Sequence, residues 1–291
     1  MKDQYLWGEY VVASIDVLGQ ECQFDRIRDL VIVDIPQETL DDVAHKTVRP
    51  VEFVRDKLEE LFLWSQKVVE PKIAVAEADR AEYDQARVTT PIKFQFYSDS
   101  ILAYVALRTT GYQWNDLSAV RDVFISVGGT LLMLLAENAS FRAAIEFGTG
   151  TDLENGDLYG PIRAEVYKLE DKKADYPRII IGNRFYEYLK LFSEGRPRIP
   201  CRTETELRGS KNVAAMCMKM IASDPNDGMR ILDYLGGDFI LKNDSTVRET
   251  YGSARDYIKQ MLQERNSFGN DKVSGKFWKL RNYFDSRPSR G

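Results

Sequence analysis

The chain alternates short β-branched runs with longer segments whose apolar residues recur every three to four positions. Residues 10–19, YVVASIDVLG, are a β-branched run closed by glycine and predict a strand that carries Asp16 near its end. Residues 50–69 place Val51, Val54, Leu58, Leu61 and Phe62 at helical spacing. A charged, alanine-rich stretch at 72–87 predicts a second helix or a connector. FQFYSDSILAYV, residues 94–105, predicts two strands broken once at Ser98-Asp99-Ser100, which are turn residues. Asp116 is placed to cap a long helix running to residue 140, and FRAAIEFG (141–148) predicts the next strand. A polar turn over 149–157 leads into Leu158-Tyr159-Gly160, and Pro161 suits the first turn of a helix over 161–174. PRIIIG (177–182) predicts a further strand and residues 183–195 a further helix.

This order contains the split βαβ pattern, so the expected fold class is α+β. The core is a ferredoxin-like, palm-type antiparallel sheet with helices on one face. In such a sheet the first strand and the following hairpin lie side by side, which puts Asp16 and Asp99 at neighbouring strand ends. After about residue 193 the pattern changes. Residues 194–209 are rich in proline, arginine and threonine and read as a linker or long loop. Helices are expected over 212–222, 246–266 and 272–286. The chain therefore divides into a palm-type domain, 1–192, and a mainly helical C-terminal extension, 193–291. The methionine and aromatic stripes of the extension read as core.

Composition narrows the chemistry. With 44% hydrophobic and 29% charged residues, the 291-residue chain reads as an ordinary soluble globule. A net charge of −5 argues against a nucleic-acid binder. The most apolar run, 123–136, falls short of the roughly 18–20 residues a membrane span needs and reads as a buried helix. The N-terminus lacks the apolar core of a signal peptide. Cys22, Cys201 and Cys217 are an odd, scattered set, which suggests reduced thiols in a cytoplasmic protein. His45 is the only histidine and reads as a surface residue, so histidine-rich metal sites are excluded and histidine-based triads are a poor fit. Any metal here is bound by oxygen, which favours magnesium, manganese or calcium.

Two aspartates at adjacent strand ends can hold two divalent ions roughly 3.5–4 Å apart. One ion activates a hydroxyl and the other neutralises a triphosphate, while the protein positions the reactants. That geometry serves polymerases and nucleotide cyclases alike, and the alternative is a pair of unrelated turn acids.

Taken together, the segments resemble the class III nucleotidyl cyclase family over residues 8–192. SIDVLG resembles its first metal motif and YSDSI its second, with Ser98-Asp99 where the family has Gly-Asp. FRAAIEFG, GDLYGPIRAEVYKLE and PRIIIGNRFYEYL follow in the family's order. With DGMRILDYLGG and KVSGKFWKLRNYF in the tail, the chain is most similar to the bacterial pyrimidine cyclases of the Pycsar antiphage system. The resemblance implies conversion of UTP, slightly preferred, or CTP to the 3′,5′-cyclic monophosphate and pyrophosphate. The product would be sensed by a separate effector. It implies two magnesium or manganese ions held by Asp16 and Asp99, with the Val17 carbonyl assisting. Gln95 and Asp157 fall at the two base-reading positions, where purine-using relatives have Lys at the first. The family's transition-state Asn and Arg fall on Ala164 and Lys168, so Lys168 is the candidate phosphate contact, with Arg163, Arg142 or Arg178 as the missing cation. A head-to-tail homodimer with sites at its interface is also implied. The rivals are an adenylyl or guanylyl cyclase of the same fold and a non-catalytic nucleotide-binding module. YLGGDFILKN (234–243) is similar to a GGDEF signature but lacks its second acid, and Gly236-Gly237-Asp238 reads as a turn.

Overall fold

The computed structural model describes residues 7–25, 27–28, 35–68, 91–109, 117–153, 156–198, 201, 203–239, 245–266 and 271–287. The predicted segment 72–87 and the capping residue Asp116 lie outside them. The first strand, β1 (Trp7–Val17), is followed by a short turn of helix, α1 (Glu21–Phe24), and by a long helix, α2 (Gln37–Val68). The hairpin β2 (Lys93–Tyr97) and β3 (Ser100–Thr109) comes next, then helix α3 (Leu117–Ala136) and strand β4 (Phe141–Asp152). A two-residue strand, β5 (Leu158–Tyr159), precedes α4 (Pro161–Lys173), β6 (Ile179–Ile181) and α5 (Asn183–Ser193). The remainder is α6 (Glu204–Lys219), β7 (Ile221–Ser223), β8 (Arg230–Leu232), α7 (Ser245–Asn266) and α8 (Asp271–Asp285).

The strands form one sheet in the order β2-β3-β1-β4-β6-β8-β7, with β5 paired to β4. Its first four members have the split βαβ order, with β1 antiparallel to both β3 and β4. The sheet then continues beyond that core. β6 is parallel to β4, and β8 and β7, from residues past 193, add antiparallel to β6. Among the described residues, the C-terminal part thus contributes two strands to the same sheet besides three helices.

β1 is apolar without strict alternation because both its faces are covered. Val11, Ala13 and Ile15 on one face and Tyr10 and Val12 on the other are 1% exposed or less. Burial of each such Val or Ile contributes about 1.5–3 kcal/mol. α3 is long and apolar enough to pass for a membrane span, but 89% of that window is buried against the rest of the protein, so it is a core helix. α2 starts thirteen residues earlier than its apolar spacing predicts, with Pro50 inside it. Pro50 lacks the amide that would bond back one turn. Burial of Val43 and Thr47, with the Thr47 hydroxyl donating to the Val43 carbonyl at 2.7 Å, holds the preceding turns. His45 is exposed on this helix.

Buried polar contacts tie the C-terminal part to the sheet. Arg178 is 2% exposed and donates to Asp224 at 2.7 Å and Asp227 at 2.8 Å, while Tyr176 donates to Asp224 at 2.6 Å. Asn226 donates to the Lys279 carbonyl of α8 at 3.0 Å, and Lys279 pairs with Asp175 just after α4. Asp233 accepts from Tyr283 at 2.9 Å and from Arg287 at 2.8 Å.

Candidate active site

Paired residues of adjacent strands share a face, so the register assembles the site row by row. Asp16 of β1 stands opposite Ser100 of β3 and Arg142 of β4, and Ser100 stands opposite Tyr97 of β2. One step along the same face, Ser14 stands between Leu102 and Ala144, and Leu102 opposite Gln95. Ser98 and Asp99 are the two central residues of the hairpin. Ser98 has φ 57°, the left-handed position usually given to glycine, and this corresponds to a positive first residue of a two-residue turn. The turn presents the Asp99 carbonyl to the Val17 amide, which donates to it at 3.0 Å. The two aspartates that the sequence singles out therefore meet at one end of the sheet.

Asp16 is mostly buried. Burial raises its carboxyl, the hydrogen bond and charge of Arg142 lower it, and the nearby charge of Asp99 raises it again. Arg142 Nε donates to Asp16 Oδ2 at 2.7 Å and lies 2.8 Å from Glu170 Oε1 on α4. The single Nε proton is aimed at Asp16, so Glu170 Oε1 gains no aligned hydrogen bond despite its proximity. Burial, opposed by Arg142 and assisted by the charges of Asp16, Asp171 and Asp99, pushes the Glu170 carboxyl up to about 7. Lys276 on α8 also acts on Asp16, so the C-terminal helix lies within electrostatic range of the site.

Other expected residues are distributed around this centre. Gln95 is 4% exposed and its Nε2 donates to Asp157 Oδ1 at 2.7 Å, so the two base-reading positions are joined. A carboxylate only accepts, which turns the amide nitrogen toward Asp157 and leaves Gln95 Oε1 as a buried acceptor with no partner among the described residues. Val17 is buried. Arg163 and Ala164 line a cavity of about 840 Å³ beside the hairpin, together with Ser14, Ser100 and Leu102. Lys168 is exposed on α4, one turn beyond Ala164. Arg178 is committed to Asp224 and Asp227, away from Asp16, whereas Arg142 is the arginine at the acid. Gly236-Gly237-Asp238 forms a turn, with the Gly236 amide donating to the Asp233 carbonyl at 2.9 Å. Among the described residues no group of three or more His, Cys, Asp or Glu side chains is arranged for a metal. Cys201 and Cys217 are free thiols that burial pushes up to about 11 and about 12, so neither is a ready nucleophile.

The start of α4 shapes the cavity. Gly160 has φ 134°, and a Cβ there would lie 2.8 Å from the Gly150 Cα. Only glycine lets β5 turn into α4 this close to β4, with Pro161 opening the helix. Glu170, Lys276 and the tyrosines of the cavity wall escaped the sequence reading. Tyr167 carried a signal, since it lies four residues after Arg163 and three after Ala164 on one helix.

No protein-family model matches the chain, and no curated protein matches it significantly. Solved structures with detectable similarity include the monomeric guanylyl cyclase domain of the RhoGC fusion protein from the aquatic fungus Blastocladiella emersonii. It is 13% identical, with a TM-score of 0.32, and the match covers 64% of this chain and 86% of that one. The adenylyl cyclase CyaB from P. aeruginosa is 13% identical, with a TM-score of 0.34, over 64% of this chain and 83% of that one. The catalytic core of a rhodopsin-guanylyl cyclase with converted specificity, in complex with ATPalphaS, is 12% identical with a TM-score of 0.31 over the same shares.

Proposed function

We propose that the protein is a cytoplasmic pyrimidine nucleotide cyclase that converts UTP or CTP to the 3′,5′-cyclic monophosphate and pyrophosphate. The observation that carries this reading is the meeting of Asp16 and Asp99, from strands far apart in sequence, beside an open cavity large enough for a nucleotide.

The residues present fit hard divalent cations. The donors are all oxygen, and the part-buried Asp16 carboxyl is already raised by desolvation and by the Asp99 charge. A bound cation would relieve both effects. Asp16 and Asp99, with the Val17 carbonyl, would hold two magnesium or manganese ions. Those ions would make the ribose 3′-hydroxyl nucleophilic and neutralise the departing pyrophosphate. Arg142 orients Asp16 through its 2.7 Å hydrogen bond. Lys168 would supply an exposed cation for the phosphates, although it lacks the planar fork of an arginine. Gln95 offers its acceptor oxygen to a base edge that donates, such as the uracil imino group or the cytosine amino group.

The family resemblance further supports a head-to-tail homodimer with sites at its interface. It also supports release of the product to a separate effector in antiphage signalling. Incubation with each of the four ribonucleoside triphosphates and manganese tests the chemistry. Cyclic UMP or cyclic CMP with equimolar pyrophosphate is expected. Turnover of ATP or GTP alone would replace the pyrimidine reading with a purine cyclase, and nucleotide binding without product would leave a non-catalytic module. Mixing Asp16→Ala with Lys168→Ala protein tests the dimer. Partial recovery of activity is expected if the two residues act across the interface, and none if both act within one chain.

A further inference from the structure

We infer that the cavity beside the hairpin holds the nucleobase face-on, with the stacked Tyr97–Arg163 pair as its platform and Tyr159 and Tyr167 as its walls. This rests on the proposed nucleotide chemistry but adds a subsite that the acids and the base-reading positions do not define. Eight large hydrophobic side chains are exposed among the described residues, and four of them, Trp7, Tyr97, Tyr159 and Tyr167, line this one cavity. Tyr159 and Tyr167 are 61% and 56% exposed, a large apolar area for a soluble protein to leave in one place.

The electrostatics select among ligands. Arg163 Cζ lies 4.6 Å from the centroid of the Tyr97 ring, and among the described residues no carboxylate pairs with it. Glu165, its neighbour on α4, is paired with Arg184 instead. The cavity thus offers flat π faces together with an unneutralised guanidinium, which suits a ligand that is both planar-aromatic and anionic. A nucleotide meets both conditions, and aromatic rings and arginine planes are the surfaces on which bases stack. The position agrees. Tyr97 ends β2 two residues before Asp99, and Ser14, on the cavity floor, precedes Asp16 by two on the same face. Gln95 lies two residues from Tyr97 on that face, about 7 Å along the strand and outside the cavity lining.

Calorimetric titration with the 3′-deoxy analogues of the four triphosphates, which bind but cannot cyclise, tests the platform. Tripolyphosphate serves as a ligand without a base. Against the tightest analogue, Tyr97→Ala is expected to weaken binding by roughly 5-fold to 100-fold. Tyr97→Phe is expected to bind within about 3-fold of the parent, because the ring face is kept. Tripolyphosphate affinity should be the same in all three proteins. Tyr97 is 41% exposed, so the substitutions leave the core intact. Unchanged analogue binding by Tyr97→Ala, an equal loss of tripolyphosphate binding, or no analogue binding by the parent protein would each overturn the platform. So would a Tyr97→Ala variant whose only change is its oligomeric state, since the wall would then be covered by a second copy. Failure of the cyclase reading is distinguishable. A parent protein that forms no cyclic product but loses analogue binding on Tyr97→Ala keeps the platform and loses the chemistry.

Discussion

Replacing Glu170 by glutamine should stabilise the protein at alkaline pH and leave it nearly unchanged at acidic pH. Glu170 is 2% exposed, and Arg142, its only close cation among the described residues, aims its Nε–H at Asp16. Burial, only partly offset by Arg142, raises the folded-state carboxyl from 4.5 to about 7. Between those values the folded state binds more protons than the unfolded state, so stability falls as pH rises and levels off above about 7. A shift of about 2.5 units at about 1.4 kcal/mol each gives a penalty of about 3 kcal/mol at pH 8. The neutral amide carries no such penalty, and the lost attraction to Arg142 is already contained in the shifted value. Urea unfolding in EDTA should show Glu170→Gln about 2–3 kcal/mol more stable than the parent at pH 8 and within about 0.5 kcal/mol of it at pH 4.5. A variant that is less stable at pH 8, or differs by the same amount at both pH values, would refute the argument that Glu170 is an under-compensated buried acid.

Further predictions concern the frame around the site. Gly182 precedes α5 where the Glu146 carboxylate accepts from the Phe185 amide at 2.7 Å, and a Cβ on Gly182 would collide with that carboxylate. Gly182→Ala should therefore cost about 2–3 kcal/mol in thermal or urea unfolding, and less when combined with Glu146→Ala. Ser98→Gly should be neutral or stabilising by up to about 1 kcal/mol, since it relieves a left-handed serine; a loss of stability would mean that the hydroxyl has a structural partner. Arg178→Met should cost about 3 kcal/mol at pH 7 by leaving Asp224 buried without its cation. Burial raises Asp224, but hydrogen bonds from Tyr176, the Asn226 amide and Arg178 outweigh it and hold the carboxyl below its ordinary value. The parent's advantage should therefore shrink as pH falls below about 4, and a difference that persists to pH 2 would count against this assignment.

The hairpin and the two aspartates were legible because long β-branched runs and a two-residue turn have a strong one-dimensional signal. Pro161 and Gly160 marked the start of α4 for the same reason. The beginning of α2 was not, because Pro50 looks like a helix start and the residues before it carry few apolar positions. β7 and β8 escaped because each has only three residues and neither carries a β-branched run like the three isoleucines of β6, and MIA continues the apolar pattern of α6. Arg142 could be named as a candidate cation, but its choice of Asp16 over Glu170 depends on the direction of one N–H bond. That Lys276 comes within range of Asp16 depends on a contact between segments some 260 residues apart, mediated by buried pairs such as Arg178–Asp224. The clustering of exposed tyrosines in one cavity is likewise a property of the surface and not of spacing along the chain.

The account depends most on Asp16 and Asp99 acting together as a cation-holding pair. The most direct measurement is turnover of the preferred triphosphate with manganese by the parent, Asp16→Ala and Asp99→Ala, with circular dichroism confirming that each is folded. The parent is expected to form the cyclic monophosphate, and each variant to fall by at least about 1,000-fold, as removal of an essential metal ligand requires. Folded variants that cyclise at the parental rate would contradict it.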